Sequence, residues 1–155
     1  MIKIIKKSLI ISLFFLLLSC GFKKLNDNRE LILIENFYIT GDKRIGFDIK
    51  NQILLISNNN SENKVRFSLD SKKIKTSKNK STSGKITRYN IALNIILQIE
   101  DLNTNDKFIR NFNYNVDYKV GKNHSETIDA QKKATQNATD IIVEEIIRFL
   151  SLYYR

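Results

Sequence analysis

Few residues in this sequence could supply nucleophilic, acid–base or metal chemistry. The 155 residues include one histidine, His124, and one cysteine, Cys20. A Ser–His–acid triad would have to use His124, and one cysteine with one histidine is too small a set for a zinc site of the usual type. There is no Gly-rich phosphate loop and no HExxH or GxSxG motif. We therefore expect no catalytic residues, no metal site and no cofactor, and we predict that the protein is not an enzyme.

The other chemistry that the side chains offer is cationic. Lysine and arginine number 26 against 16 acidic residues, which gives a formal charge of +10. The segment from Lys64 to Arg88 holds nine cations and one acidic residue, Asp70. Its part from 71 to 85 is rich in Ser, Thr, Lys and Asn, and is predicted to be a mobile, hairpin-like loop between two strands.

These cations form a candidate polyanion-binding surface. The residues that we single out are Lys72, Lys73, Lys75, Lys78, Lys80, Lys85 and Arg88. The same lysines also suit a solvated loop in a chain that is rich in lysine throughout, so both interpretations stay open at this point.

Residues 1–19 have the pattern of an export signal. Three lysines precede an uncharged apolar run, residues 8–18, which is too short to span a bilayer. The sequence Leu17-Leu18-Ser19-Cys20 resembles the lipobox of bacterial lipoproteins. In such proteins the cysteine receives a diacylglycerol, cleavage precedes it and the new amino terminus is acylated. Several acyl chains then hold the protein on the membrane where one chain would not.

The lipobox resemblance implies a location and a domain organisation. Cys20 is the predicted lipid attachment site, residues 20–30 are a lipidated tether, and residues 31–155 are one domain. Lipoproteins that stay in the inner membrane often have Asp directly after the cysteine. This chain has Gly21 there, so the resemblance implies that the protein is anchored on the periplasmic side of the outer membrane. Export argues against nucleic acid as the polyanion. Lipopolysaccharide, whose phosphates and carboxylates pair with Lys and Arg, is the expected alternative.

Alternation of apolar and polar residues predicts a sheet with one buried face. Apolar residues occupy every second position from Tyr89 to Ile99 and again from Phe112 to Val120. The polar stretch 101–106 joins these two strands as an antiparallel hairpin. Residues 65–69 and, more weakly, 31–38 are two further predicted strands.

The buried face of the sheet needs helices to pack against it, and two segments are candidates. From Glu126 onward, a stripe of apolar residues at helical spacing predicts a long amphipathic helix, which Asn123 and Glu126 would cap. Residues 42–56 fit either a strand or a helix that begins after an Asp42 N-cap, and the pattern alone leaves both open. The predicted fold class is α+β, a two-layer sandwich.

The segments together resemble LptE, a family of lipopolysaccharide-assembly lipoproteins. The resemblance covers nearly the whole mature chain in the order and spacing of its elements, although each motif is short. The similar segments are residues 20–22, 41–54, 88–91, 112–114 and 138–150. Arg88 stands where the family often has an acidic residue, so contacts to lipopolysaccharide are not transferred residue by residue.

The LptE resemblance implies a four-stranded, mostly antiparallel or mixed sheet packed against two helices, with residues 42–56 as the first helix. It also implies a non-catalytic function, because LptE proteins plug the LptD β-barrel, help it to assemble and aid delivery of lipopolysaccharide to the outer leaflet. The implied partners are an LptD-type barrel, lipopolysaccharide and the membrane.

Two other functions are compatible with an exported chain of this kind. A stand-alone periplasmic lipid- or polyanion-binding lipoprotein would need an apolar cavity, whereas the bulky apolar residues of the strands predict a filled core. An envelope hydrolase would have to use His124 with a serine.

Overall fold

A computed structural model describes residues 32–154, so Cys20 and the predicted tether lie outside the described residues. Within residues 32–154 there are four strands and two helices. In chain order they are β1 (Leu33–Gly41), α1 (Lys43–Leu54), β2 (Lys64–Lys80), β3 (Ile86–Asp101), β4 (Lys107–Lys119) and α2 (His124–Tyr153).

The strands form one mixed sheet in the order β1-β2-β3-β4. β1 and β2 are parallel, whereas β2–β3 and β3–β4 are antiparallel. A parallel pair needs a crossover between its strands, and α1 provides it. Both helices contribute to the single core on one face of the sheet. The predicted α+β sandwich with a four-stranded sheet and two helices is therefore confirmed.

The centre of the core is β3, as its alternation predicts. Ile91, Leu93, Ile95, Leu97 and Ile99 are each at most 1% exposed. Burying an aliphatic side chain of this size stabilises the fold by about 1.5–3 kcal/mol, so these five positions anchor the sheet to the helices.

The ambiguous segment 42–56 is a helix. The Asp42 carboxylate accepts a hydrogen bond from the backbone N–H of Ile45 at 3.3 Å, which caps the first turn. Ile45, Ile49 and Ile53 follow one another at helical spacing, and each is at most 2% exposed. The helical stripe prevails over the alternation because α1 has to bury one narrow face against the sheet.

Helix α2 begins where the sequence predicts. The Asn123 side chain accepts a hydrogen bond from the Glu126 N–H at 2.9 Å, and the Glu126 carboxylate accepts one from the Lys122 N–H at 2.7 Å. Ala138, Ile142 and Ile146 are fully buried, as predicted, whereas Tyr153, which belongs to the same predicted stripe, is 50% exposed. Tyr153 therefore lies at the edge of the core, although Leu150 in the same turn is fully buried.

The pairing registers define two ends of the sheet. We call one end of the sheet the base. There β1 and β2 begin, with Leu33 paired to Lys64, and there β3 ends beside the start of β4. We call the opposite end the tip, where the last pair of β2 and β3 is Lys80 with Ile86. Both helices run toward the base, because a bridge between Ile32 and Ser57 lies just past the end of α1 and the Tyr153 ring lies 4.5 Å from that of Phe108.

Candidate functional site: the basic hairpin

The predicted basic loop is mostly β-strand. We call residues 71–88 the basic hairpin. β2 continues to Lys80 and β3 starts at Ile86, so only residues 81–85 form the turn. The predicted hairpin-like connection is therefore present, but residues 71–80 are strand and not loop. They pair with β3 through backbone hydrogen bonds, which need no apolar alternation. β1 ends opposite Ser71 and β4 ends opposite Arg88, so the hairpin extends past both outer strands.

Three of the hairpin lysines are held by partners in the same chain. The Lys73 ammonium lies 3.5 Å from the Asp42 carboxylate, and the Lys78 ammonium donates to the Asp117 carboxylate. The Lys75 ammonium donates to the Gln131 side chain at 2.8 Å and lies 4.1 Å from the centre of the Tyr89 ring. These three cations brace the hairpin against its neighbours.

A pair of stacked tyrosines supports the Lys75 contact. The rings of Tyr89 and Tyr118 are 5.5 Å apart at an interplanar angle of 22°. The Tyr118 hydroxyl donates to the same Gln131 oxygen that receives the Lys75 ammonium, at 3.0 Å. A cation over aromatic faces adds about 0.5–1 kcal/mol at an exposed site, and this arrangement fixes the hairpin to α2.

Three other cations of the set, all lysines, are free to bind a ligand. Within residues 32–154, Lys72, Lys80 and Lys85 have no carboxylate within 4.0 Å of their ammonium groups, and all three are exposed. Arg88 is half-buried near Asp117, whose charge it helps to stabilise. The structure thus divides the predicted site residues into a structural group and a free group, which no sequence pattern distinguishes.

Asp117 is the anionic counterpart of the hairpin. Hydrogen bonds from Lys78 and then from Asn90, the latter at 2.9 Å, lower the pKa of Asp117 below its ordinary value. The carboxylate therefore stays ionised in the folded protein at pH values where it would gain a proton in the unfolded chain.

This lowered pKa predicts how stability changes with acid. A depressed carboxyl pKa stabilises the fold above the unfolded-state value of about 4 and loses that contribution as the pH falls through the folded-state pKa. We expect the urea midpoint of Asp117→Asn to lie below that of the unmodified protein at pH 7, and the gap to narrow at pH 3. A gap that is equal at the two pH values would contradict the assignment.

A second cationic surface lies between the two helices and was not predicted. It is a groove of about 350 Å³, with Ile45 and Ile128 among its lining residues. The cations that line it are Arg44, Lys73, Lys132 and Lys133, together with one carboxylate, that of Asp48. The adjacent pairs 43–44 and 132–133 are visible in the sequence, but only the packing of α1 beside α2 brings them together.

The open face of the sheet is polar with a few apolar side chains. Asn94 pairs with Asn113, and Asn111 and Asn115 extend that row along β4. The sequence predicts these asparagines on the wet face, and Asn111, Asn113 and Asn115 are exposed. Apolar side chains are interspersed among them: Tyr38, Ile74, Ile96 and Ile109 are 38–61% exposed.

The structure shows no clustering of the residues that could catalyse a reaction or bind a metal within residues 32–154. His124 is exposed at the first residue of α2, and no group of three metal-ligating residues is found among residues 32–154. Neither described helix combines the length and apolar character needed to cross a bilayer. The assignment of Cys20 as a lipid attachment site lies outside the described residues and stays a prediction.

Comparison with known proteins gives a likeness of fold. No protein-family model matches the chain, and no curated protein matches it in sequence. Its structure is similar to that of a lipoprotein from Caulobacter crescentus CB15, with a TM-score of 0.57 and 15% identity over 78% of this chain and 89% of that one. The chain has the fold of a solved bacterial lipoprotein.

Two further structures share this fold. Lipoprotein B from Nitrosomonas europaea aligns with a TM-score of 0.55 and 17% identity, over 79% of this chain and 86% of that one. A minor lipoprotein from Acinetobacter baumannii aligns with a TM-score of 0.55 and 14% identity, over 79% and 94%. A similar fold therefore occurs in proteins of very different sequence.

Proposed function

We propose that the mature chain is an outer-membrane lipoprotein, anchored through acylated Cys20 on the periplasmic side, that plugs and helps to assemble an LptD-type β-barrel. In this proposal it aids delivery of lipopolysaccharide to the outer leaflet and catalyses no reaction. The observation that carries the proposal is the combination of a lipobox-like Leu17–Cys20 with a domain whose fold is that of solved bacterial lipoproteins.

The open sheet face supports the barrel part of the proposal. The lumen of a large outer-membrane barrel is polar, so a plug needs a polar surface that tolerates partial dehydration. The row formed by Asn94, Asn111, Asn113 and Asn115 offers amide donors and acceptors to such a wall. Ile96 and Ile109, which are 44% and 61% exposed, add apolar area that contact with a partner would bury.

The filled core argues against a stand-alone lipid carrier. A carrier encloses its ligand in an apolar cavity. In this protein the inward side chains of β3 are each at most 1% exposed, in a core to which both helices contribute. The groove between the helices is not an apolar cavity either, because four cations and one carboxylate line it together with Ile45 and Ile128.

Affinity capture tests the proposal. The tagged, lipidated protein is purified from detergent-solubilised outer membrane, and the proteins that copurify are identified. We expect one large β-barrel protein in stoichiometric amount. Recovery of the folded protein alone, in good yield, would contradict the proposal and favour the stand-alone lipoprotein.

The basic hairpin is the proposed contact for the lipid A phosphates. A lysine near an anionic lipid surface contributes about 1 kcal/mol, so replacing Lys72, Lys80 and Lys85 by glutamine is expected to weaken lipopolysaccharide binding by roughly a hundredfold. The loss should shrink at high salt, because screening already weakens these contacts in the unmodified protein.

The braced lysines provide the matched control. Replacing Lys73, Lys75 and Lys78 by glutamine removes the same charge but also removes contacts to Asp42, Gln131 and Asp117. We expect this variant to bind more strongly than the first and to unfold at a lower urea concentration. Equal binding by both variants and the unmodified protein would refute the role of the hairpin. Point substitutions are preferable to deletion of residues 71–85, which would remove the second half of β2.

A further inference from the structure

An aromatic cluster at the base of the sheet is only partly covered by the protein. The Tyr153 ring centre lies 4.5 Å from that of Phe108, 6.0 Å from that of Phe149 and 4.9 Å from that of Tyr154. Tyr153 is nevertheless 50% exposed, and the neighbouring Leu152 is 68% exposed. The last turn of α2 therefore presents apolar and aromatic surface outward.

Other apolar side chains are exposed at the same end of the sheet. Leu55, at the end of α1, is 84% exposed, and Ile109, near the start of β4, is 61% exposed. The tip is different, because the turn 81–85 consists of Ser, Thr, Gly and Lys. Among residues 32–154, the three most exposed large apolar side chains, Leu55, Leu152 and Ile109, thus all lie at the base, and exposed apolar area of this kind marks a contact surface.

Charges of both signs lie at the base, where the carboxylates include those of Glu62, Asp101 and Asp106. The Glu100 carboxylate accepts from Arg66 at 2.8 Å and lies 3.1 Å from the Lys107 ammonium. Arg110 lies 4.8 Å from the centre of the Phe149 ring. Tyrosine and arginine side chains combine an apolar body with a polar end, which suits the headgroup level of a bilayer.

The path of the chain places a membrane next to this surface. The first described residue, Ile32, bridges to Ser57 at the base, and eleven residues separate it from Cys20. Such a segment spans at most about 40 Å. A lipid on Cys20 would hold the base close to the bilayer, and tethering makes even a weak contact effective because the local concentration is high.

We propose that the base of the sheet rests on the phospholipid surface, with Leu152 and Tyr153 at the headgroup level. The inference depends on the lipid-anchoring part of the proposed function and not on the barrel. It fixes the orientation of the domain relative to its anchor, because the base then lies at the headgroups and the basic hairpin lies at the opposite end of the sheet.

The composition of the chain allows a direct test. The protein has no tryptophan, so the tryptophan fluorescence of a variant with one introduced tryptophan comes from that position alone. It has one cysteine, so Cys20 can be coupled selectively to a maleimide-bearing lipid. The mature chain is coupled in this way to vesicles of phosphatidylethanolamine and phosphatidylglycerol. Tyr153→Trp reports on the base and Thr82→Trp reports on the tip. Leu152→Trp is a second base reporter whose site is more exposed.

We expect the emission of both base reporters to shift to shorter wavelength on the vesicles and to be quenched by brominated lipids, in low and in high salt. The tip reporter should keep the emission that it has in solution. A response at the tip alone, no response at either end, or a base response that high salt abolishes would each overturn the proposal. Chemical coupling makes the result independent of barrel capture, so the two proposals can fail separately.

Discussion

Replacing Cys20 by alanine is expected to abolish acylation of the protein and to lower its share in the outer-membrane fraction. The cysteine thiol is the only group of its kind in the chain and would carry the diacylglycerol. Each buried CH₂ contributes about 0.8 kcal/mol to membrane binding, so losing several acyl chains removes effectively all of the anchoring free energy. Density-gradient fractionation of cells, combined with metabolic labelling by an alkyne fatty acid, measures both the location and the lipid.

Ser19→Ala is the matched control for this experiment. Alanine is also small, so it keeps the size that the lipobox requires before the cysteine. We expect this variant to incorporate the label and to fractionate with the outer membrane. Fatty acid label on Cys20→Ala would show that Cys20 is not the site of acylation.

Replacing Gly41 by alanine is expected to destabilise the fold severely. Gly41 has φ of +78° at the corner between β1 and α1, and a Cβ there would lie 2.1 Å from the Ser71 carbonyl oxygen. That oxygen accepts a hydrogen bond from the Asp42 N–H at 2.7 Å, and the buried Ser71 hydroxyl donates to the Asp42 carbonyl at 2.8 Å. The side chain would therefore force apart the contact that places α1 on the sheet.

Gly84→Ala separates the effect of conformation from that of crowding. Gly84 has nearly the same φ, +77°, but a Cβ there meets nothing within 4 Å. The left-handed conformation costs an alanine about 1–2 kcal/mol, and we expect Gly84→Ala to lower the free energy of unfolding by that amount. Gly41→Ala should cost about 1–3 kcal/mol more, because overpacking adds that amount to the cost of the left-handed conformation. Urea unfolding measures both, and equal losses would contradict the crowding argument.

The parts of the fold that the sequence predicts well are those where one pattern dominates. β3 and β4 alternate strictly, and α2 carries a long apolar stripe behind an Asn123 cap. These elements form where they are predicted because local preference and burial agree. The exposed Tyr153 is the exception, since a helical stripe does not show where the sheet beneath it ends.

Other parts depend on contacts that no local pattern encodes. Residues 42–56 fit two periodicities, and the parallel pairing of β1 with β2 is what makes a helical crossover necessary. The outer half of β2 lacks a buried face, so its apolar pattern gives no strand signal, yet its backbone pairs with β3 as far as Lys80. Tertiary pairing determines both segments.

The sequence predicts which residues belong to the candidate site but not which contacts they make. Sequence alone identifies the cations of the hairpin. It does not show that Lys75 lies over Tyr89 or that Lys78 meets Asp117, because those partners are distant in the chain. The cationic groove between the helices likewise requires the packing of α1 beside α2.

Site-specific cross-linking in intact cells is the most direct test of the barrel-plug proposal. A photoreactive amino acid is placed at Asn113, on the open sheet face, and in a second variant at Thr82, in the turn of the hairpin; both positions are exposed. The proposal predicts that each forms an adduct with the same large outer-membrane β-barrel protein. Adducts with no such protein from either position, in cells where the protein is folded and lipidated, would contradict it.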